Sequence, residues 1–219
     1  ATVSGTGREH DRRFMDTQHD LAIMLPDINP YIRPIGTSPE EWCDTKISEM
    51  EETILSIGAD QIGCFIAEPI LASGGVIVPP PGYHQRSLQL CKKHDIIYIS
   101  DETVTGFGRL GQWFSSKEVF DIQPDIITCA KGLTSGYLPM GAAIISDSLI
   151  DDIKNIEGSQ PFTNGYTYSC HPVSAKAALT NIDIISRDKI LEHVRDISPH
   201  FQNRLRNLGK KYDIIGDAR

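Results

Sequence analysis

The segment Ile96-Ile97-Tyr98-Ile99-Ser100-Asp101-Glu102 decides the fold. A run of β-branched and aromatic residues with no charge stops abruptly on two acids, which reads as a buried strand. Two similar segments flank it. Ile62-Gly63-Cys64-Phe65-Ile66-Ala67 stops on Glu68-Pro69, and Asp125-Ile126-Ile127-Thr128-Cys129-Ala130 stops on Lys131-Gly132. A fourth run, Gly141-Ala142-Ala143-Ile144-Ile145-Ser146, follows after a short loop. Helical patterns lie between them. Ser38-Pro39-Glu40-Glu41 carries an N-cap, a proline at the first helical position and acids in the first turn, and Trp42, Ile47, Met50, Ile54 and Ile57 then recur at helical spacing up to Gly58. Tyr83–His94 reads as a second helix with Leu88, Leu90 and Cys91 facing inward, and Ser115–Phe120 as a short helical piece. This alternation predicts an α/β fold with a mostly parallel sheet. The Lys131–Met140 connection is too short for a helical crossover, so the fourth strand is expected to run antiparallel to the third.

The flanks are less regular. Residues 1–38 read as an irregular segment with turns near Pro26-Asp27 and Asn29-Pro30. A helix is expected over 172–186 and another from Asp188, with Ser198-Pro199 starting a further turn. Tyr212–Arg219 reads as the start of a strand and a turn, as though the chain had been cut there.

With 219 residues the chain has room for one domain and part of another. Its 21 Lys and Arg against 29 Asp and Glu give a net charge of −8. That argues against nonspecific binding to nucleic acid or anionic membranes, which needs clustered cations. No apolar run approaches the roughly 20 residues of a membrane-spanning helix. The cysteines (Cys43, Cys64, Cys91, Cys129 and Cys170) are odd in number and widely spaced, and Cys64, Cys91 and Cys129 sit in apolar runs. They read as reduced, buried thiols of a cytoplasmic protein. His10, Asp11, Asp16, His19 and Asp20 match no zinc spacing and read as a solvated loop. His84, His94, His193 and His200 fall mostly on helical stretches and read as surface residues. The apolar run ending in Asp101-Glu102 also looks like an ATPase element, but the chain holds no G-x-x-x-x-G-K-[ST] loop to accompany it. It holds no G-x-S-x-G element either.

Glu68, Asp101 and Lys131 each follow directly on a strand. In an open parallel sheet, ligands bind at the carboxyl ends of the strands. A strand-end lysine beside a strand-end aspartate suits Schiff-base chemistry. A partly desolvated lysine amine can attack an aldehyde. If the aldehyde is pyridoxal 5'-phosphate (PLP), a carboxylate against the pyridine nitrogen keeps it protonated, so the ring can act as an electron sink.

The stretch from Tyr98 to Gly111, with Pro124-Asp125-Ile126-Ile127 and Ala130-Lys131-Gly132-Leu133, resembles the signature of the class III aminotransferases, PLP enzymes of fold type I. Glu68-Pro69-Ile70, Gly74-Gly75-Val76-Ile77-Val78-Pro79, Gly136-Tyr137-Leu138-Pro139-Met140-Gly141 and Thr167-Tyr168-Ser169-Cys170-His171-Pro172 are similar to further family stretches, with the ω-amino acid or amine:pyruvate branch nearest. The resemblance implies that residues 1–185 are the C-terminal part of the PLP-binding large domain and 186–219 the beginning of a truncated small domain. It implies Lys131 as Schiff-base lysine and proton shuttle, and Asp101 as partner of the pyridinium nitrogen. Thr103 would pack on the ring where the family usually has Val or Ile. Thr167, with Tyr166 beside it, would reach the phosphate of the neighbouring subunit's cofactor in a homodimer. Glu68 matches a glutamate near the active site, Cys170 stands where glycine is usual, and Gly158–Gly165 would be a loop near the neighbouring site. The implied activity is ping-pong transfer of an amino group from an amine or ω-amino acid to an oxo-acid, pyruvate for choice. The resemblance also implies that the chain is an internal fragment, inactive alone. Other fold-type-I chemistries (aminomutase, racemase or decarboxylase) and a non-catalytic PLP-binding protein are the alternatives.

Overall fold

A computed structural model describes residues 2–18, 20–156 and 165–219; His19 and nearly all of the Gly158–Gly165 loop lie outside them. Four strands form one sheet in the order β1 (Cys64–Ala67), β2 (Ile97–Asp101), β3 (Ile126–Cys129) and β4 (Ala142–Ile145). β1, β2 and β3 are parallel, and β4 runs antiparallel to β3, as the short connection requires. The helices are α1 (Glu9–Arg12), α2 (Pro39–Ile57), α3 (Tyr83–Lys93), α4 (Ser115–Glu118), α5 (Asp147–Asn155), α6 (Pro172–Arg187) and α7 (Ile190–Lys211).

The start of α2 is set by its sequence. Ser38 accepts the Glu41 N–H, and the Glu41 carboxylate accepts the Ser38 N–H, closing a reciprocal capping box ahead of Pro39. At the far end Gly58 takes φ 94 and returns its N–H to the Ile54 carbonyl. The inner faces of α2 and α3 then meet the sheet. Met50, Ile54, Leu88, Leu90, Cys91, Ile96, Tyr98 and Ile122 make one buried cluster, each large side chain worth about 1.5–3 kcal/mol of burial.

β2 shows the period of two. Tyr98 and Ser100 are buried on the helix-covered face, while Ile97, Ile99 and Asp101 on the other face are half-buried. On β1, Ile66 is 51% exposed on that second face. The uninterrupted apolar runs predicted burial on both faces. The described residues bury one.

Other expectations are corrected. Cys64 is exposed, because it points to the open face of the edge strand, and Cys170 is exposed as well, whereas Cys43, Cys91 and Cys129 are buried. α7 runs through Ser198 and Pro199 without a new start. Pro199 removes one backbone donor, and the Ser198 hydroxyl bonds the Val194 carbonyl within the same helix. Tyr212–Arg219 forms no strand. It turns back so that Gly216 packs on the Tyr31 ring and Arg219 donates to the Asn29 side chain.

His84 is a core residue, not a surface one, at 2% exposure. Its Nε2 lies 2.9 Å from the Pro69 carbonyl, which can only accept, so Nε2 carries the proton. Nδ1 therefore accepts from the Tyr98 hydroxyl at 2.9 Å. This neutral tautomer ties α3 to β2 and to the turn after β1. Burial, against smaller opposing effects of the Pro69 carbonyl and Glu102, pushes the His84 pKa below its ordinary 6.5. The unfolded chain therefore binds the extra proton first. The His84 contribution to stability is full above about pH 6.5 and falls as the pH drops below it. Urea unfolding from pH 8 to pH 5 should show a steeper loss in the wild type than in His84→Gln. Equal slopes would remove the assignment.

Candidate active site

The site is built on the carboxyl ends of β2 and β3. Asp101 is the last residue of β2 and pairs in register with Thr128 of β3. Its Oδ1 accepts the Thr128 hydroxyl at 3.1 Å and the Thr103 N–H at 3.0 Å. These two donors fix the carboxylate plane and leave Oδ2 without a partner among the described residues. Thr128 is a site residue that sequence reading passed over. The signal was its place two residues before Ala130 on a strand whose end carries Lys131, which puts it on the open face with Asp101.

Lys131 stands just beyond β3, after Ala130, as the first residue of a 3-10 turn Lys131–Leu133. Its φ is 38°, in the left-handed region that costs a non-glycine residue of order 1 kcal/mol or more. The amine is exposed, with no hydrogen-bond or ion-pair partner among the described residues. That corrects the expectation of a partly desolvated lysine: the described chain places no cover over this face. Gly132 is required by packing. A Cβ there would come within 2.9 Å of the Phe107 Cβ and 3.4 Å of the Gly106 carbonyl. The glycine-rich loop after β2 therefore lies directly against the turn that carries Lys131. That loop is shaped in turn by Phe107 and Gly108, whose N–H groups donate to Trp113 and Gln112 at 2.8 and 2.9 Å.

Glu102, which no sequence argument singled out, anchors the loop from below. It is fully buried. Oε1 accepts the Ser116 N–H and hydroxyl at 2.7 and 2.6 Å, and Oε2 accepts the Thr105 hydroxyl, the Ser115 N–H and the Ser115 hydroxyl at 2.7–2.8 Å. Five donors stand in for water around one carboxylate, with no cation paired to it among the described residues. Two of them are the first N–H groups of α4, which have no partner within the helix. The available signal was the strand period: of two adjacent acids ending β2, only one can share the open face.

The other expected residues are placed as follows. Ala67 pairs with Ser100, so Glu68 leaves the sheet at the level of Asp101, and its Oε2 accepts the Ala72 N–H at 3.0 Å. It closes its own turn. Tyr166 and Thr167 stand exposed just before α6, where the Tyr166 N–H donates to the Ser169 hydroxyl and the Ser169 N–H to the Tyr166 carbonyl. No described contact joins either to Asp101 or Lys131. Cys170 closes this turn with φ 57, in the left-handed region that glycine enters without steric cost. Among the described residues there is no cluster of metal ligands, and no helix is long and apolar enough to cross a membrane.

The donor set fits PLP. A carboxylate oriented by two hydrogen bonds, with one oxygen spare, meets the needs of a ring N–H. An unpaired primary amine on the next strand end meets those of an aldehyde.

Comparison with known proteins places the chain. The family model for aminotransferase class III matches residues 1–219, and the chain belongs to that family, whose members use PLP. It is 41% identical over 183 residues to putrescine–pyruvate aminotransferase of Pseudomonas aeruginosa, a match covering 83% of this chain and 39% of that protein. The chain thus spans about two-fifths of the length of the curated relatives it matches. An (S)-enantioselective ω-transaminase from Thermomicrobium roseum superposes with a TM-score of 0.87 at 34% identity, over 95% of this chain and 46% of that one. A PLP-bound amine transaminase from an uncultivated Pseudomonas species gives 0.82 at 36% identity, over 89% and 44%. The fold is therefore that of the PLP-dependent transaminases.

Because Glu102 satisfies five buried donors, Glu102→Ala should cost at least about 3 kcal/mol in a denaturant titration, more than a typical surface substitution. A loss under about 1 kcal/mol would show that the clamp contributes little.

Proposed function

We propose that the protein carrying this sequence is a transaminase that moves an amino group from an amine or ω-amino acid to an oxo-acid, with pyruvate as acceptor, in a ping-pong cycle. The observation that carries the reading is the Asp101 carboxylate, held by Thr128 and Thr103 at the end of β2, with the Lys131 amine at the end of the next strand. PLP, when bound, supplies an aldehyde for covalent attachment and a conjugated ring that takes up the electron pair of a broken C–H bond.

The residues divide the remaining work. Lys131 Nζ is the nucleophile toward the aldehyde. As a free amine it would be the base that takes the proton from the substrate carbon and passes it to the carbon that was the cofactor's aldehyde. Asp101 would hold the cofactor's ring nitrogen and favour its protonated form, using the oxygen that Thr128 and Thr103 leave free. Thr103, whose N–H donates to Asp101, would offer its methyl to the ring. Glu68, at the same sheet level, borders the site. Tyr166 and Thr167, exposed on the turn before α6, suit donation to a phosphate held by a second copy, which makes the working unit a homodimer. Residues 1–185 then belong to the large domain and 186–219 begin the small one. A cytoplasmic location accords with the free cysteines, and the pyruvate acceptor with the P. aeruginosa relative, which its name gives as a pyruvate enzyme.

The test is made on the full gene product carrying these residues. PLP should give a visible absorption band, and borohydride reduction should leave the adduct on the Lys131 peptide. Lys131→Ala should abolish turnover, and Asp101→Asn should lower it by at least about 100-fold, since a neutral partner no longer favours the ring proton. Adducts scattered over surface lysines, or a near-normal Asp101→Asn rate, would overturn the assignment.

A further inference from the structure

The turn bearing Lys131 is held from α6 as well as from the sheet. Asn181 lies in the middle of α6, 50 residues beyond Lys131. Its Nδ2 donates to the Gly132 carbonyl at 2.8 Å and to the Leu133 carbonyl at 3.1 Å, while its Oδ1 accepts the Ser135 hydroxyl at 2.7 Å. Both carbonyls can only accept, so the amide orientation is determined, with NH2 toward the turn. The Gly132 carbonyl already accepts the Ser135 N–H at 3.3 Å, so the Asn181 amide adds a second, shorter bond there and ties the neighbouring Leu133 carbonyl to the same side chain.

Three facts make this more than a helix-docking contact. The turn begins on Lys131 at φ 38, a conformation that does not persist without support from its surroundings. Its opposite side is already closed by Phe107 against Gly132, so the turn is gripped between that loop and Asn181. Ser135, which orients the amide from below, also has a positive φ of 49°. The same amide therefore spans the stretch between two strained residues.

We infer that Asn181 is a positioning residue for Lys131: it holds the strained Lys131–Ser135 backbone in the one conformation that directs the amine to the strand-end site. The inference rests on the reading of Lys131 as the covalent lysine. Without the amide, the backbone relaxes toward negative φ and Lys131 Nζ samples orientations away from Asp101. The amine remains chemically intact but is presented to the aldehyde for only a fraction of the time.

The variants are Asn181→Ala and Asn181→Asp in the full gene product. Alanine is the better helix former, so Asn181→Ala leaves α6 intact and its melting temperature close to the wild type. Asn181→Asp keeps the shape and the Ser135 contact but turns a donor pair into acceptors facing two carbonyls. Both variants should show faster amide hydrogen exchange confined to the 130–138 segment, measured without cofactor. Both should bind PLP about ten-fold or more weakly, read from the visible band and the borohydride-trapped yield on Lys131, for two hydrogen bonds lost. The pH dependence of that trapping should also shift, a readout that a purely structural contact would not move. Ser135→Ala, on an exposed side chain, should give the same signature in weaker form and serves if Asn181→Asp fails to fold. Unchanged exchange and unchanged Lys131 trapping in Asn181→Ala would overturn the inference. Failure of the wild type itself to be trapped at Lys131 would instead overturn the underlying reading of the site.

Discussion

The buried Glu102 carboxylate organises the functional end of this molecule. An anion with no exposure survives only if its lone pairs are met, and here five donors from Thr105, Ser115 and Ser116 meet them. The consequence is geometric. The end of β2, the glycine-rich loop and the start of α4 become one unit. Phe107 on that loop packs against Gly132, so the unit extends to the turn that presents Lys131. Asp101 is one residue away on the opposite face of the strand, and its position is inherited from the same anchor.

The parallel sheet then does what an open parallel sheet does in general. It collects the residues that follow its strands along one edge. Glu68, Asp101 and Lys131 are 30 or more residues apart in sequence and leave the sheet side by side. Chemistry can be assembled there because strand-end side chains escape the backbone ladder and face a surface that the helices on the other side leave open.

Much of this was legible in the sequence. Strand positions, the Ser38 N-cap of α2, the inward face of α3 and the antiparallel β4 all followed from periodicity, cap chemistry and loop length. What was not legible depended on contacts across the fold. His84 looked like a surface residue on a polar helix, and only the approach of Tyr98 and Pro69 made it a core hydrogen-bonding group. Ser198-Pro199 looked like the start of a further turn because the sequence signal there is local. Cys64 sat in an apolar run, yet the edge strand turns it outward. Thr128 and Glu102 were passed over although the strand period sorts them by face, because that period does not say which groups they will meet, and Asn181 on its helix carries no signal of the turn it will face.

The sequence alone determined the order of the strands and of α2, α3, α4, α6 and α7, the sheet direction and the residue types at the strand ends, because those follow from short-range patterns of polarity and turn chemistry. Only the tertiary structure decided which acid faces the open side, which donors fix it, and what holds the Lys131 turn in its strained form. Those are matters of contacts between residues up to 49 positions apart, and no local pattern encodes a distance across the fold.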